Sequence, residues 1–394
     1  MSEIKQLIEK LCPDGVEYKK IDSLFETFSG MTGVSDKWKE TGNCQFIDYL
    51  NVYNNMRVDV NNLPYATVKN PQQNTLQKGD ILLTCASETP DECAMSSVIR
   101  DDINEGIFLD DHLFAIRLKC EYQDIVNTAF LNYYMHSSAF RVQVCKKVRG
   151  VTRFYITGKP FMSLEIPVPP IEVQSKIVEV LDNFTELEAE LEAELEARRK
   201  QYEYYRNQLL TFDKVGGARF ERLGDVCKIE RGVRVVRKDL EIEGDIPVYQ
   251  NSLIPLGYYM KSNYPKNTPF IICGGGAGQI GFSTKPYWAA DDCFSIVCPD
   301  ILNSKYVYYS MLNKNNYFIS RVRKASIPRL SRSSVESFEI PIPPLAEQER
   351  IVSILDRFEA LTTDLQSGLP AEIEARRKQY EYYREKLLKF KRLS

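Results

Sequence analysis

From Ile177 onward the apolar and aromatic positions of this chain step alternately by four and three: Ile177, Leu181, Phe184, then Glu188, Leu191, Leu195, Arg198, Tyr202, Tyr205, Leu209 and Phe212. That is a heptad seam with two polar interruptions. It predicts one helix over 171–211, roughly 60 Å long at 1.5 Å per residue. The same ladder returns as Ile351, Leu355, Phe358, Leu365, then Ile373, Arg376, Tyr380, Tyr383, Leu387 and Phe390. Such a seam has to bury against another helix, and the second ladder is the partner of matching pattern; a homo-oligomeric coiled coil is the alternative.

The two ladders belong to a longer internal repeat. Ile166-Pro-Val-Pro-Pro170 matches Ile340-Pro-Ile-Pro-Pro344, an offset of 174 (340 − 166), and Gln174 and Gln348 follow at the same place. Glu196 to Arg206 and Glu374 to Arg384 are the same eleven letters, EARRKQYEYYR, at an offset of 178 (374 − 196). The second arm thus carries four extra residues, the stutter that lets a coiled coil resume in phase after local unwinding. They fall near Ser367-Gly-Leu-Pro370. Because proline is tolerated only in the first turn of a helix, the arm should break near Gly368 and restart with Pro370 close to the first helical position. Upstream, Val16 to Leu24 pairs loosely with Ala218 to Val226 at an offset of 202, so the second globular body is about 28 residues shorter (202 − 174). The plan is body, helix, body, helix.

Both bodies show short apolar runs bracketed by turn signals, the pattern of mixed strand and helix. Lys78-Gly-Asp80 turns into Ile81 to Thr84, and Asn267-Thr-Pro269 into Phe270 to Cys273; helical stretches are expected at 125–144 and 305–323. After Cys273 comes Gly274-Gly-Gly-Ala-Gly-Gln-Ile-Gly281, a formal GxGxxG at Gly276 to Gly281. A dinucleotide fold needs a helix next, whereas Phe282-Ser-Thr-Lys-Pro286 continues as strand and turn. The glycines rather let a backbone come close to something, a phosphate backbone being one candidate.

Composition narrows the chemistry. The chain has 394 residues, 43% hydrophobic and 27% charged, enough for two to three domains with sizeable cores. No apolar run approaches a membrane span and Met1 to Lys10 is polar, which points to the cytoplasm. Ten cysteines without a CxxC pair read as reduced core residues. Only two histidines, His112 and His136, leave triads and His-bearing metal sites almost nothing to use. No Walker loop, HExxH or Asn-Pro-Pro-aromatic sequence occurs, and neither a catalytic nor a metal site is expected. The net charge of −3 hides a segmental contrast: residues 1–165 carry −4, 166–212 −5, 213–339 +5 and 340–394 +1. Phosphate neutralisation needs a local patch, not a basic total.

Candidate DNA-contacting clusters exist in both bodies. The first has Lys146, Lys147, Arg149 and Arg153 beside Tyr155, with the amides Gln73 and Asn74. The second has Arg231, Arg234, Arg237 and Lys238, then Arg321, Arg323, Lys324, Arg329 and Arg332, with Gln250, Asn251, Gly276 and Gln279. Arginine suits guanine, and glutamine or asparagine suits adenine. The duplicated helix ends, Arg198, Arg199, Tyr204 and Tyr205 in one copy and Arg376, Arg377, Tyr382 and Tyr383 in the other, combine the residue types that anchor protein interfaces. Burial in the seam accounts for Tyr202 and Tyr205 but not for the retained surface letters, so one partner docked twice is the reading.

With two unlike bodies, two duplicated arms and the Ile-Pro-x-Pro-Pro...Gln...Ile helix start, the chain resembles the specificity (S) subunit of type I restriction-modification systems over nearly its whole length. The resemblance implies an α+β fold: target recognition domains at 1–165 and 213–339, and helical spacer regions at 166–212 and 340–394. The helices are expected to form an antiparallel coiled coil with pseudo-twofold symmetry. It also implies a non-catalytic subunit that binds a split double-stranded DNA site. Two methyltransferase subunits using S-adenosylmethionine, and restriction subunits using ATP with magnesium, are its expected partners; the chain itself carries no cofactor and meets no membrane. A coiled-coil adaptor without a DNA role and an enzyme using the Gly-rich loop for a nucleotide are the rival readings.

Overall fold

The computed structural model describes residues 2–39, 41–213, 218–236, 238, 240–363 and 368–393. They form two compact units, 1–190 with 374–394 and 191–373, so each unit combines one body with the start of one arm and the end of the other.

In the first unit the strand Tyr18–Lys20 pairs antiparallel with Glu165–Pro167, closing the body just before the first arm. A four-stranded antiparallel sheet follows in the spatial order Phe25–Ser29, Leu113–Leu118, Ile81–Thr84, Ser96–Val98. Ile81–Thr84 is buried at all four positions, as an apolar run inside a sheet covered on both faces should be. Its lead-in turn needs Gly79 at φ +91°, and buried Asp80 there accepts two hydrogen bonds from Arg117 at 2.6 and 2.8 Å. A second sheet is ordered Val34–Lys39, Tyr65–Val68, Cys44–Ile47, Ile107–Leu109, its last pair parallel.

The second unit repeats this plan. Arg219–Arg222 pairs with Glu339–Ile342; the main sheet is ordered Lys228–Arg231, Cys293–Val297, Thr268–Ile272, Ile280–Ser283; and Gly257–Tyr259, Ile246–Tyr249 and Trp288–Ala289 form the smaller sheet, again with a parallel last pair. The loose match at offset 202 is therefore structural. The short helices Ile21–Leu24 and Leu223–Val226 follow the two opening strands, and their first N–H groups donate to the carbonyls of Leu164 and Phe338, which are equivalent positions at the offset of the Pro-rich segments.

The arms are helical as the ladders predict. Ile171–Leu210 is one continuous helix of 40 residues. The second arm is Leu345–Thr363 and Leu369–Leu387. The Gly368 carbonyl accepts from Ala371 and Glu372, which makes Leu369 the first helical residue and places Pro370 one position later than expected, still inside the first turn. Ladder residue Leu365 lies outside the described residues. Within the first unit Phe184 packs against Tyr380 and Tyr383, ring centroids 6.4 and 5.4 Å apart, and Glu188 pairs with Arg377. Rising numbers meet falling ones, so the two helix segments run antiparallel. Within the second unit Tyr202 and Tyr205 pack on Phe358 at 6.5 and 5.5 Å, while Leu210 shares a core with Ile351 and Leu355.

Three expectations need correction. The helical stretch 125–144 is two helices, Thr128–Met135 and Ser138–Cys145, because Ser137 leaves helical geometry and its hydroxyl accepts from the Phe140 N–H as an N-cap. The stretch 305–323 likewise breaks into Ser304–Asn313 and Asn315–Ile319 at Lys314. The ten cysteines are all unpaired, but Cys120 and Cys145 are exposed rather than core residues.

One construction joins body to arm in both units. Buried Gln174 accepts from the Asn127 N–H at 2.8 Å and donates to the Ile125 and Pro169 carbonyls; buried Gln348 accepts from the Asn303 N–H at 2.8 Å and donates to those of Ile301 and Pro343. Asn127 and Asn303 then cap the next helices with their own side chains. Beside each clamp a tyrosine reaches an arm carboxylate at 2.7 Å, Tyr133 to Asp182 and Tyr309 to Asp356.

Candidate nucleic-acid interface

In the first body the helix Ser138–Cys145 ends in Lys146 and Lys147, both exposed, and the chain turns into a small hairpin. Arg149 pairs with Tyr155 and Gly150 with Phe154, and the outer side of Phe154–Tyr155 is held by Ala86–Ser87. Gly150, at φ +123°, is required because a Cβ there would overlap the Arg153 carbonyl. The Ile156 N–H donates to the Cys85 carbonyl at 2.9 Å and ties the hairpin to the main sheet. Phe154 packs on the core, leaving Arg149, Arg153 and Tyr155 exposed around a tip where Val151 is 90% exposed. The structure therefore puts Arg149, Arg153 and Tyr155 on one ribbon, with Lys146 and Lys147 at the helix end that leads into it.

The second body raises the same ribbon at the equivalent place in the repeat. Arg323 and Arg329 exchange both backbone hydrogen bonds, at 2.8 and 3.2 Å, and the Leu330 N–H donates to the Cys273 carbonyl at 3.0 Å. Arg323 and Lys324 are exposed, and Ile327 is 54% exposed at the tip. Two neighbouring cations are engaged: Arg321 lies 3.5 Å over the Tyr317 ring, and Arg329 pairs with Asp292.

The Gly-rich loop sits directly against this ribbon. The Gly275 N–H donates to the Pro328 carbonyl at 3.2 Å and that of Gly276 to the Asn251 carbonyl at 2.8 Å. A Cβ on Gly276 would lie 2.8 Å from that same oxygen and 2.9 Å from Gln279 Oε1. The close approach that the glycines permit is thus first of all to the chain's own backbone, and a strand, Ile280–Ser283, follows as expected. The effect is to bring Asn251, Gly276, Gln279, Arg323 and Arg329 onto one surface, with Gln250 half-buried behind.

Arg231 closes the strand Lys228–Arg231 and donates to the Asp291 carbonyl at 2.8 Å, next to the Asp292 that Arg329 pairs with; Arg234 is exposed on the segment that follows, Lys238 is exposed, and Arg237 lies outside the described residues. Arg332 pairs with Glu336 within the short helix Arg332–Glu336. In the first body the Gln73 amide is engaged by Thr32 and Asn70 through four hydrogen bonds of 2.6 to 3.2 Å, while Asn74 is exposed.

Of the helix-end residues, Arg198 and Arg376 are half-buried and bond Gln201 and Gln379 one turn on. Arg377 pairs with Glu188, and Tyr205 and Tyr383 face Phe358 and Phe184. Arg199 is exposed, as are Tyr204 and Tyr382, at 59% and 60%.

The two histidines stand in different settings. Burial holds the His136 imidazole down, to about 4, so it stays neutral and bonds the Ser96 carbonyl. His112 stands with Asp110 and Asp111, the one grouping of possible metal ligands among the described residues, and the Lys37 ammonium bonds both carboxylates. The residues that letter patterns did not reveal as functional candidates are Val151 and Ile327. The signal was present: the offset of 174, carried back from Ile166, aligns Val148 with Val322 and Arg149 with Arg323.

Two copies of one body plan are each held by paired helix segments, and each raises a basic ribbon. Residues 13–197 and 218–375 match the family described as type I restriction modification DNA specificity domain, and the chain belongs to that family. It is 36% identical over 296 residues to a Haemophilus influenzae protein named as a type I restriction enzyme specificity subunit, covering 67% of this chain and 73% of that one. A Mycoplasma pneumoniae protein named as a type I specificity subunit is 34% identical over 232 residues, 56% of this chain and 91% of that one. A solved structure from a type I restriction-modification system superimposes with a TM-score of 0.65 over 96% of this chain and 98% of that one; at 16% identity the likeness is one of fold. The chain is a DNA-specificity subunit, the part of its system that recognises sequence and is not itself catalytic. Among the described residues no helix is long and apolar enough to cross a membrane.

Proposed function

We propose that this subunit reads a bipartite, asymmetric double-stranded DNA site, one half-sequence for each body, and serves as the scaffold of a cytoplasmic complex. Bodies 1–165 and 213–339 are the target recognition domains, and the arms 166–212 and 340–394 set the gap between the half-sites. The supporting observation is a duplicated frame under unlike exposed loops: the clamps at Gln174 and Gln348 repeat bond for bond, whereas the connections around them differ in length and letters. A frame repeated in this way also presents the same helix-end patch twice, which suits two copies of one methyltransferase subunit. In this reading S-adenosylmethionine belongs to those subunits, and ATP with magnesium to the restriction subunits.

Single-molecule sequencing of methylated adenines in host DNA, with and without the gene, tests the proposal. The expected motif has two unlike specified halves separated by unspecified bases. A continuous motif, or a perfect palindrome, overturns it.

A further inference from the structure

We propose that the hairpins Arg149–Tyr155 and Arg323–Arg329 are the base-reading ribbons of the two bodies, each entering a major groove, with the basic stem on the phosphates and the unlike tip choosing the half-site sequence. This rests on the DNA reading above and assigns it to particular side chains.

Three observations carry it. First, the hairpins are one device built twice: the paired residues are 149 with 155 and 323 with 329, and each ribbon is anchored by the next N–H to the carbonyl of the cysteine that directly follows a main-sheet strand, Cys85 after Ile81–Thr84 and Cys273 after Thr268–Ile272. Second, the stems agree and the tips do not. Lys147-Val-Arg149 answers Arg321-Val-Arg323, cation for cation, while Gly150-Val-Thr-Arg-Phe154 and Lys324-Ala-Ser-Ile-Pro328 share no letter at any aligned position. Third, each tip exposes an aliphatic side chain between cations, Val151 at 90% and Ile327 at 54%. A hairpin kept only for folding would turn such residues inward, as it does Phe154.

The occupant follows from the contrast. A protein partner bound twice would need the same surface twice, and the tips are the part of the ribbon that is not the same. What must differ between the two halves is the DNA sequence. A major groove admits a two-stranded ribbon; there arginine bonds guanine O6 and N7, and an aliphatic group meets the thymine methyl. The stem cations bind phosphate, which fixes position without reading sequence.

The test exchanges one tip for the other, away from the strained Gly150: Val151→Ala, Thr152→Ser and Arg153→Ile together, in the complete complex with its methyltransferase subunits, read by sequencing methylated adenines. One half of the motif should change or relax, with discrimination at the affected base pairs falling roughly ten- to a hundredfold, while the other half stays as in wild type. Lys147→Ala should weaken binding to every sequence alike and lower the salt slope by about one. Because these positions are exposed, the melting temperature should not move; if the triple variant does not assemble, Arg153→Ala alone carries the same expectation. An unchanged bipartite motif at full occupancy overturns the proposal and leaves the DNA reading standing. So does a variant that keeps its motif but loses a methyltransferase by native mass measurement, since the tip is then a protein contact. A wild-type complex that marks no split motif takes down the reading, and the proposal with it.

Discussion

In the first body a long segment, 48–80, leads from the strand Cys44–Ile47 to the strand Ile81–Thr84, with room for the helix Tyr49–Asn54; in the second a much shorter one, 250–267, connects Ile246–Tyr249 to Thr268–Ile272. Elsewhere in the same two bodies the buried glutamine clamp is unchanged, bond for bond. Length and letters vary in this connection, although it buries residues of its own such as Val52, Val58 and Leu76, and stay fixed where an arm holds a body through buried backbone groups. The difference separates a common frame from the parts that diverge, and under the proposed function the diverging parts are the ones that meet DNA.

The sharpest way to break that equivalence is at the clamps. Gln174→Leu leaves the Asn127 N–H and the Ile125 and Pro169 carbonyls without their partner, and Gln348→Leu does the same to Asn303, Ile301 and Pro343. Three buried groups stranded at once should cost on the order of 3–5 kcal/mol in each case. Denaturant unfolding of the two variants should give losses equal within about 1 kcal/mol. A large loss at one site and none at the other would show that the two clamps are not equivalent.

Much of this frame was legible in the letters, because a heptad ladder and a repeat of eleven identical letters are local signals. The ladder placed Ile171–Leu210, and the proline rule placed the start of Leu369–Leu387 to within one residue. The glutamines stood out only as repeated letters, since their partners Asn127 and Asn303 lie 47 and 45 residues away. The ribbons were harder still. Two residues per strand show no alternation to read, and their pairing depends on Cys85 and Cys273, far off in sequence. The basic letters were visible; that they form one device in two copies was not.

A smaller effect is expected at the helix ends, where the two copies look most alike. Tyr204 and Tyr382 are almost equally exposed, and each leans on its neighbour, Tyr205 or Tyr383, at 5.5 and 5.3 Å. Arg199→Ala with Tyr204→Ala should weaken one methyltransferase by about 2 kcal/mol, roughly thirtyfold, and Tyr382→Ala the other. Stability should stay within about 0.5 kcal/mol, because these positions lie off the seam. Native mass measurement decides: full two-methyltransferase stoichiometry in both variants at low concentration would confine the duplicated block to the coiled coil. Arg377 is a poor choice for this test, since its pairing with Glu188 makes it part of the frame.

The smallest expected effect separates the two tyrosine-carboxylate contacts beside the clamps. Asp182 receives both Nη atoms of Arg100 at 2.7 Å and the Tyr133 hydroxyl, while Asp356 receives Tyr309 and the single ammonium of Lys305 at 2.8 Å. Burial acts to raise the Asp182 carboxyl, but the hydrogen bonds from Arg100 and Tyr133 outweigh it and hold the group below the ordinary aspartate value. A carboxyl with a depressed folded pKa contributes stability that is fully present above its unfolded value of about 4 and fades as pH falls through the folded value. Asp182→Asn should therefore destabilise the subunit at neutral pH; the gap between variant and wild type should hold as pH falls to about 4 and narrow only below that, as pH passes through the lowered folded value. Thermal melts of the two proteins across that range provide the check. A gap that stays constant would mean that shape and packing, and not the ionised carboxylate, join the first arm to its body at Asp182.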